Sequence, residues 1–228
     1  MYESFAPFGP LIYRADIRGE FNDFLLKHLD SVRDSRDARN RLAGNIEEQR
    51  YAPYPEREFM SYVNHHILNY LRDSYKRLIK IERNVFGKGS MMRNMNDKKI
   101  LNPDEHKVRY HMGEGPWVNF SSKGDYNPMH NHSGIISAVV FIDIPDKLEE
   151  ERENSTYPIN PSGCLEFVNS NCQHILVKPR TGTLYLFPSY QWHLVYPYRS
   201  DVERISMSFN IHELKYDDKL QTEDVFVY

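Results

Sequence analysis

Apolar residues along this chain change their period near its middle. From Gly19 to Asp34, the residues Phe21, Phe24, Leu25, Leu29 and Val32 fall on one side of a helical turn. From about Glu58 to Val85 the same holds for Phe59, Val63, Ile67, Leu71, Leu78 and Ile81. Both stretches predict amphipathic helices. Ahead of them, Leu11-Ile12-Tyr13 reads as a short strand among Pro and Gly. Residues 31–50 are dominated by charge, with Leu42-Ala43-Gly44-Asn45-Ile46 as an apolar island, and read as a loop. Residues 87–103, polar and Gly-rich at their start, read as a connecting loop or flap.

Beyond residue 105 short apolar runs alternate with turns. Strands are expected at 117–120, 135–144, 163–168, 174–177, 183–187, 193–196 and 204–212, separated by Gly, Pro, Asn and Asp. Helices first and strands after give an α+β class. The expected layout is a jelly roll with N-terminal helices packed on one face. A single domain over 1–228 is expected, with a helical region and connecting loop over 1–104 and the β core over 105–228. The insert from Asp146 to Ser162, with its run Glu149-Glu-Glu-Arg-Glu-Asn154 and two prolines, reads as an exposed loop.

Composition narrows the classes. Sixteen tyrosines and twelve phenylalanines favour strands and an aromatic-lined cavity, and 27% charged residues leave enough apolar chain for a packed core. A net charge of −3 makes no global case for nucleic acid. No run approaches the roughly 18 apolar residues of a membrane span. The N-terminus lacks the basic and apolar stretches of a signal peptide. Cys164 and Cys172 have the spacing of neither a zinc knuckle nor a disulfide framework, and two thiols suit a reducing compartment. The expected location is the cytoplasm, or a host cytoplasm if the chain is phage-encoded.

The candidate chemistry lies in the second half. His130 and His132 are two residues apart in Asn-Pro-Met-His-Asn-His, and on a strand they share a side. His193, roughly sixty residues on, can close a facial metal site with them. Arg204 opens the apolar run Ile-Ser-Met-Ser-Phe, where a fixed guanidinium can hold a carboxylate bidentately. The pattern is that of a redox metal beside an anion clamp.

In ordered succession the chain carries Trp117-Val-Asn119, Gly124-Asp-Tyr-Asn-Pro-Met-His130-Asn-His132, Ser137-Ala-Val-Val-Phe and Gly163-Cys-Leu-Glu-Phe. Then follow Pro179-Arg-Thr-Gly-Thr-Leu-Tyr-Leu-Phe-Pro-Ser, His193-Leu-Val-Tyr-Pro and Arg204-Ile-Ser206-Met-Ser-Phe-Asn210. From Trp117 to Asn210 the sequence resembles the non-haem iron(II) and 2-oxoglutarate-dependent dioxygenases, most of all a microbial- and phage-type branch with prolyl-hydroxylase-like folds. The resemblance implies a double-stranded β-helix, iron(II) and 2-oxoglutarate. It implies hydroxylation of an unidentified peptide or protein side chain or small metabolite, with succinate and carbon dioxide as co-products. His130 matches the first ligand, His193 the distal one, and Arg204 with Ser206 the clamp for the 5-carboxylate of 2-oxoglutarate. The departure is His132, where the family carries a carboxylate. Either His132 completes a three-histidine face, or Asp125 from the preceding turn, or a water, takes that place.

Each residue also has a plainer reading. His193 could be a core histidine in an aromatic run, and Arg204 a surface ion pair with Asp201 or Glu203. Asn119 and Tyr126 are candidates to bind the oxoacid or orient a ligand, and equally for structural strand and turn residues. Trp192 is expected to pack against the sheet. His65, His66, His111 and the cluster His106, Lys107 and Arg109 read as ordinary helix, loop and solvated-edge residues. Two other functions stand beside the oxygenase. One is a cupin-like three-histidine dioxygenase or isomerase that does not use 2-oxoglutarate, and the other is a non-enzymatic binding module. For the oxygenase the partners are 2-oxoglutarate, dioxygen and the substrate, without membrane or nucleic acid. Residues 87–103 and 146–162 are candidate lids.

Overall fold

The structure is a computed structural model and describes residues 1–5, 9–81, 102–156, 158–169 and 173–219. It divides into two compact units, Met1–Tyr54 with Met112–Ile211, and Pro55–His111 with His212–Tyr228. In chain order the elements are β1 (Tyr2–Phe5), β2 (Ile12–Asp16), α1 (Glu20–Lys27), α2 (Leu29–Arg33), a 3-10 turn (Arg39–Arg41), β3 (Glu48–Tyr51), α3 (Glu56–Ile81) and β4 (His106–His111). They continue with β5 (Trp117–Ser121), β6 (Asn127–His130), β7 (Ile136–Asp143), α4 (Asp146–Glu153), β8 (Leu165–Val168) and β9 (His174–Val177). The last are β10 (Thr183–Pro188), β11 (Trp192–Val195), β12 (Arg204–Ile211) and β13 (Glu213–Lys219).

In the first unit a large sheet has the order β1-β2-β10-β7-β12-β5-β3, and a smaller one the order β6-β11-β8-β9. From β5 to β12 the chain changes sheet at every connection except the β8–β9 hairpin. That winding makes the jelly roll, or double-stranded β-helix. The sheets face each other across a core of Ile12, Phe141, Tyr185 and Phe187 from the large sheet and Leu165, Phe167 and Val177 from the small one. The helix α1 buries Phe21, Phe24 and Leu25 and lies against β7.

The single helix expected over 19–34 is interrupted at His28. There the imidazole Nδ1–H donates to the Phe24 carbonyl at 2.8 Å, and the backbone N–H turns to Leu25 O at 3.2 Å. That tightened turn ends α1, and the chain restarts as α2. The strands β1, β3, β4 and β13 were not expected from the pattern, and β6 only from the spacing of His130 and His132, the second of which lies beyond its end.

The insert 146–162 is also not the loop expected of it. It begins with α4, whose Leu148 is fully buried, and whose Arg152 donates to the Ser162 carbonyl at 3.0 Å. The Glu151 carboxylate accepts from the Arg199 N–H at 3.0 Å and from the Ser200 N–H and hydroxyl at 2.8 and 2.6 Å. These bonds tie the segment to the loop before β12. The other lid candidate, 87–103, lies outside the described residues apart from Asn102 and Pro103.

Burial pushes the Glu151 carboxyl up, but the donors from Ser162, Ser200 and Arg199 outweigh it and hold it at about 2. A depressed folded-state pKa contributes stability that is complete above the unfolded value near 4.5 and is lost as pH falls toward 2. Because the group is half-buried and still reached by solvent, screening keeps its contribution to about 1 kcal/mol. Glu151→Gln is therefore expected to lower the melting temperature by a few degrees at pH 7 and to converge with the parent near pH 2. Thermal melts across that range check it.

In the second unit α3 runs from Glu56 to Ile81, and β13 pairs with β4 as a two-stranded ribbon. Arg109 pairs with Asp217 at 2.5 Å on the exposed ribbon, in line with a solvated edge. No helix among the described residues is long and apolar enough to cross a membrane.

Candidate metal and anion site

The first unit encloses a cleft between the two sheets, about 740 Å³ including its open mouth. Its wall includes His130, His132, His193, Asn119, Tyr126, Arg204 and Ser206. Every residue expected at the site is thus brought to one cavity.

The three histidines come from three local structures. His130 on β6 and His193 on β11 are direct cross-strand partners, which places both rings on the inner face. His132 is not on the strand: β6 ends at His130, so shared strand periodicity is not what aligns the pair. Its backbone N–H instead donates to the Ser189 carbonyl at 2.8 Å, just past β10, and this bond turns the segment back toward the cavity. Ring centroids are 4.8 Å apart for His130–His132, 4.3 Å for His130–His193 and 5.1 Å for His132–His193. The three contribute nitrogen atoms all within 4.8 Å of one another, a group able to hold a metal ion. Asp125 is not in that group; its carboxylate accepts the Ser122 N–H at 2.8 Å across a tight turn.

Tautomers follow from the backbone. Nδ1 of His130 faces the Pro128 carbonyl at 2.7 Å, and Nδ1 of His193 faces the Gln191 carbonyl at 2.9 Å. A carbonyl only accepts, so each Nδ1 carries the proton and each Nε2 presents a lone pair. Burial, with the adjacent His130 and His132, pushes His193 down to about 3, and burial lowers His130 as well. Both are neutral at pH 7, the form that binds metal.

Deeper in the cleft lies an uncompensated cation. Arg204 is 2% exposed, and its Nε and Nη2 are buried without a hydrogen-bond partner. Nη1 reaches Ser206 Oγ at 3.2 Å, and the guanidinium carbon is 5.2 Å from the Phe141 ring centre. Desolvation pushes Arg204 down to about 10, which still leaves it charged at neutral pH. The plainer reading fails on geometry: the Glu203 carboxylate pairs with Arg33, which also binds Glu48 at 2.9 Å and covers the Phe120 ring at 3.8 Å.

Two features escaped the sequence pattern. Gln49 on β3 is buried beside Asn119 and lines the cleft. The apolar island Leu42–Ile46 joins the cleft wall through Leu42, Ala43 and Ile46. Asn45 and Tyr126 exchange backbone hydrogen bonds of 2.9 and 3.2 Å, and a Cβ at Gly44 would collide with the Asn127 side chain. Tyr126 is on the cleft wall but exposed. Trp192, expected to pack on the sheet, is 45% exposed, because its alternation with inward His193 turns it to the outer face.

Three neutral imidazoles leave a divalent ion two positive charges, and Arg204 adds a third. An anionic ligand would offset this charge, with the three histidines able to hold the metal and Arg204 able to take a carboxylate. The donor set and the orphaned guanidinium fit iron(II) with a dicarboxylate.

Residues 115–210 match the family model described as "Putative 2OG-Fe(II) oxygenase". No curated protein matches the chain. Among solved structures, a prolyl hydroxylase from Trichoplax adhaerens in complex with a hypoxia inducible factor oxygen degradation domain peptide fragment is 11% identical. The match covers 88% of this chain and 83% of that one, with a TM-score of 0.50. A Pseudomonas putida prolyl-4-hydroxylase is 14% identical over 88% of this chain and 91% of that one, with a TM-score of 0.45. Identities this low speak to the fold alone.

Proposed function

We propose, for a chain that belongs through residues 115–210 to the 2-oxoglutarate- and iron(II)-dependent oxygenase superfamily, that it hydroxylates a peptide or protein side chain. A small metabolite is the runner-up. His130, His132 and His193 hold the iron, and Arg204 with Ser206 holds the 2-oxoglutarate carboxylate remote from the metal. When bound, iron(II) and 2-oxoglutarate supply the oxidation that turns dioxygen and a C–H bond into an alcohol, with succinate and carbon dioxide released. The chain's own part is positional. The Pro128 and Gln191 carbonyls fix the imidazole tautomers, and the Arg204 guanidinium fixes the oxoacid. Leu42, Ile46 and Trp117 line the cleft with apolar surface that excludes water around the reacting bond.

The observation that carries this reading is the buried Arg204 with two unpartnered N–H groups in the same cleft as three gathered histidines. A three-histidine protein of the cupin kind has no need of a buried, unpaired guanidinium on that wall. Tyr126, exposed while on the cleft wall, suits contact with an extended substrate more than full enclosure of a small one.

Anaerobic addition of iron(II) and then 2-oxoglutarate is expected to give a weak visible metal-to-ligand charge-transfer band. Dioxygen should then convert 2-oxoglutarate to succinate. Iron binding with no band on adding 2-oxoglutarate would move the assignment to the cupin-like alternative.

A further inference from the structure

The cleft's polar wall is built in one row. Ser206 on β12 is the direct partner of Asn119 on β5, and Asn119 is the direct partner of Gln49 on β3. Direct partners in an antiparallel sheet share a face, so the three side chains stand side by side across neighbouring strands. Their apolar neighbour in the row is Phe141, opposite Ser206 on β7, above which Arg204 lies.

Within the row one hydrogen bond has a direction with consequences. Gln49 Nε2 donates to Asn119 Oδ1 at 2.7 Å, and both residues are almost fully buried, at 1% and 4% exposure. With Oδ1 occupied, the Asn119 amide has its NH₂ group left for the cleft that it lines, beside Ser206 and the Arg204 guanidinium. Gln49 keeps its own Oε1 buried without a donor to make this bond. A buried acceptor left unmatched is unfavourable, and proteins tolerate such groups chiefly where function needs them.

We propose that Gln49 is a positioning residue for anion binding: it holds the Asn119 amide with its NH₂ toward the oxoacid. The inference deepens the proposed function and rests on it. A dianion entering the cleft then meets a wall of donors, from Arg204, Ser206 and Asn119. With the amide reversed, the Asn119 carbonyl oxygen would face the anion and repel it. Gln49 lies outside the segment that matches the oxygenase family, so this device belongs to the chain's own N-terminal strand.

The test is a double-mutant cycle on 2-oxoglutarate affinity, read from the charge-transfer band of the anaerobic iron(II) protein. Gln49→Met removes the bond and is expected to weaken 2-oxoglutarate roughly fivefold, the worth of one neutral hydrogen bond. Gln49→Glu, nearly isosteric, can only accept when ionised, so the comparison is read at a pH where its loss no longer changes with pH. It should draw the Asn119 NH₂ to itself, turn the carbonyl to the cleft and weaken binding roughly 50-fold. In an Asn119→Ala background Gln49→Met should change affinity less than about twofold, because the residue through which Gln49 acts is gone, while Gln49→Glu should keep only the part of its loss that comes from its own charge. Iron affinity should stay unchanged throughout.

Equal losses in both backgrounds would overturn the proposal, as would unchanged affinity in both Gln49 variants. If Gln49→Met does not fold, Gln49→Leu, equally uncharged and without the bond, carries the comparison. Absence of the band in the parent protein would instead defeat the oxygenase reading itself, so the two failures are distinguishable.

Discussion

Arg204→Met is expected to abolish 2-oxoglutarate binding while making the ligand-free protein more stable. The two effects have one cause. Arg204 is a fully desolvated cation, held over Phe141, with Nε and Nη2 lacking any acceptor. None of the ion pairs among the described residues includes it. A buried charge without a partner is a net cost to the fold, and methionine, similar in length and apolar, removes that cost. The gain should be about 1–3 kcal/mol, a rise of several degrees in melting temperature. For the complex, losing one partner of a buried charge-assisted pair costs about 3 kcal/mol or more, at least roughly 150-fold in affinity. Calorimetric melts and the anaerobic titration check the two signs separately. A melting temperature that falls would mean that Arg204 already has an acceptor in the resting protein.

His193→Ala is expected to eliminate iron binding and to reduce turnover at least about 10³-fold, the equivalent of about 4 kcal/mol. His193 is the buried member of the three, directly opposite His130, with its ring fixed through Gln191. Alanine removes the ligand and leaves the Gln191 carbonyl without that donor. His130→Ala should behave alike. His132 is the informative third position, because the family pattern has a carboxylate there. His132→Asp should keep iron and strengthen its binding by supplying a negative charge. If instead His132→Ala leaves iron affinity untouched, another group completes the metal face. Metal analysis after dialysis against a fixed iron(II) concentration resolves each case.

The pattern of the sequence is clearest where side chains face a core. The strands β7, β9, β10 and β12 lie close to where apolar runs placed them, since each buries apolar residues on at least one face: Val140 and Ile142 on β7, Val177 on β9, Leu184 and Leu186 on β10, Ile205 and Phe209 on β12. The apolar pattern fails at β3 and at β6, where only the spacing of the histidines marked a strand. In Glu-Gln-Arg-Tyr the inward residue is Gln49, and in Asn-Pro-Met-His the inward one is His130, while Met129 is exposed. Strands that line a polar site lose or invert the apolar alternation by which strands are recognised. The site itself hid these two strands.

What the sequence singled out by itself was a candidate set, His130, His132, His193, Arg204 and Ser206, in an order whose spacing resembles a known oxygenase pattern. Their gathering on one cleft wall, and the strand order that allows it, came from the tertiary structure. So did the position of His132, set by a hydrogen bond to Ser189 and not by strand period, and the partnership of Gln49 with Asn119. So too did the unpaired state of Arg204, whose neighbour Glu203 is taken by Arg33. The physical reason is range. Periodicity and spacing report what a residue does within a few positions of itself, whereas Ser206, Asn119 and Gln49 meet only when three distant segments pair into one sheet.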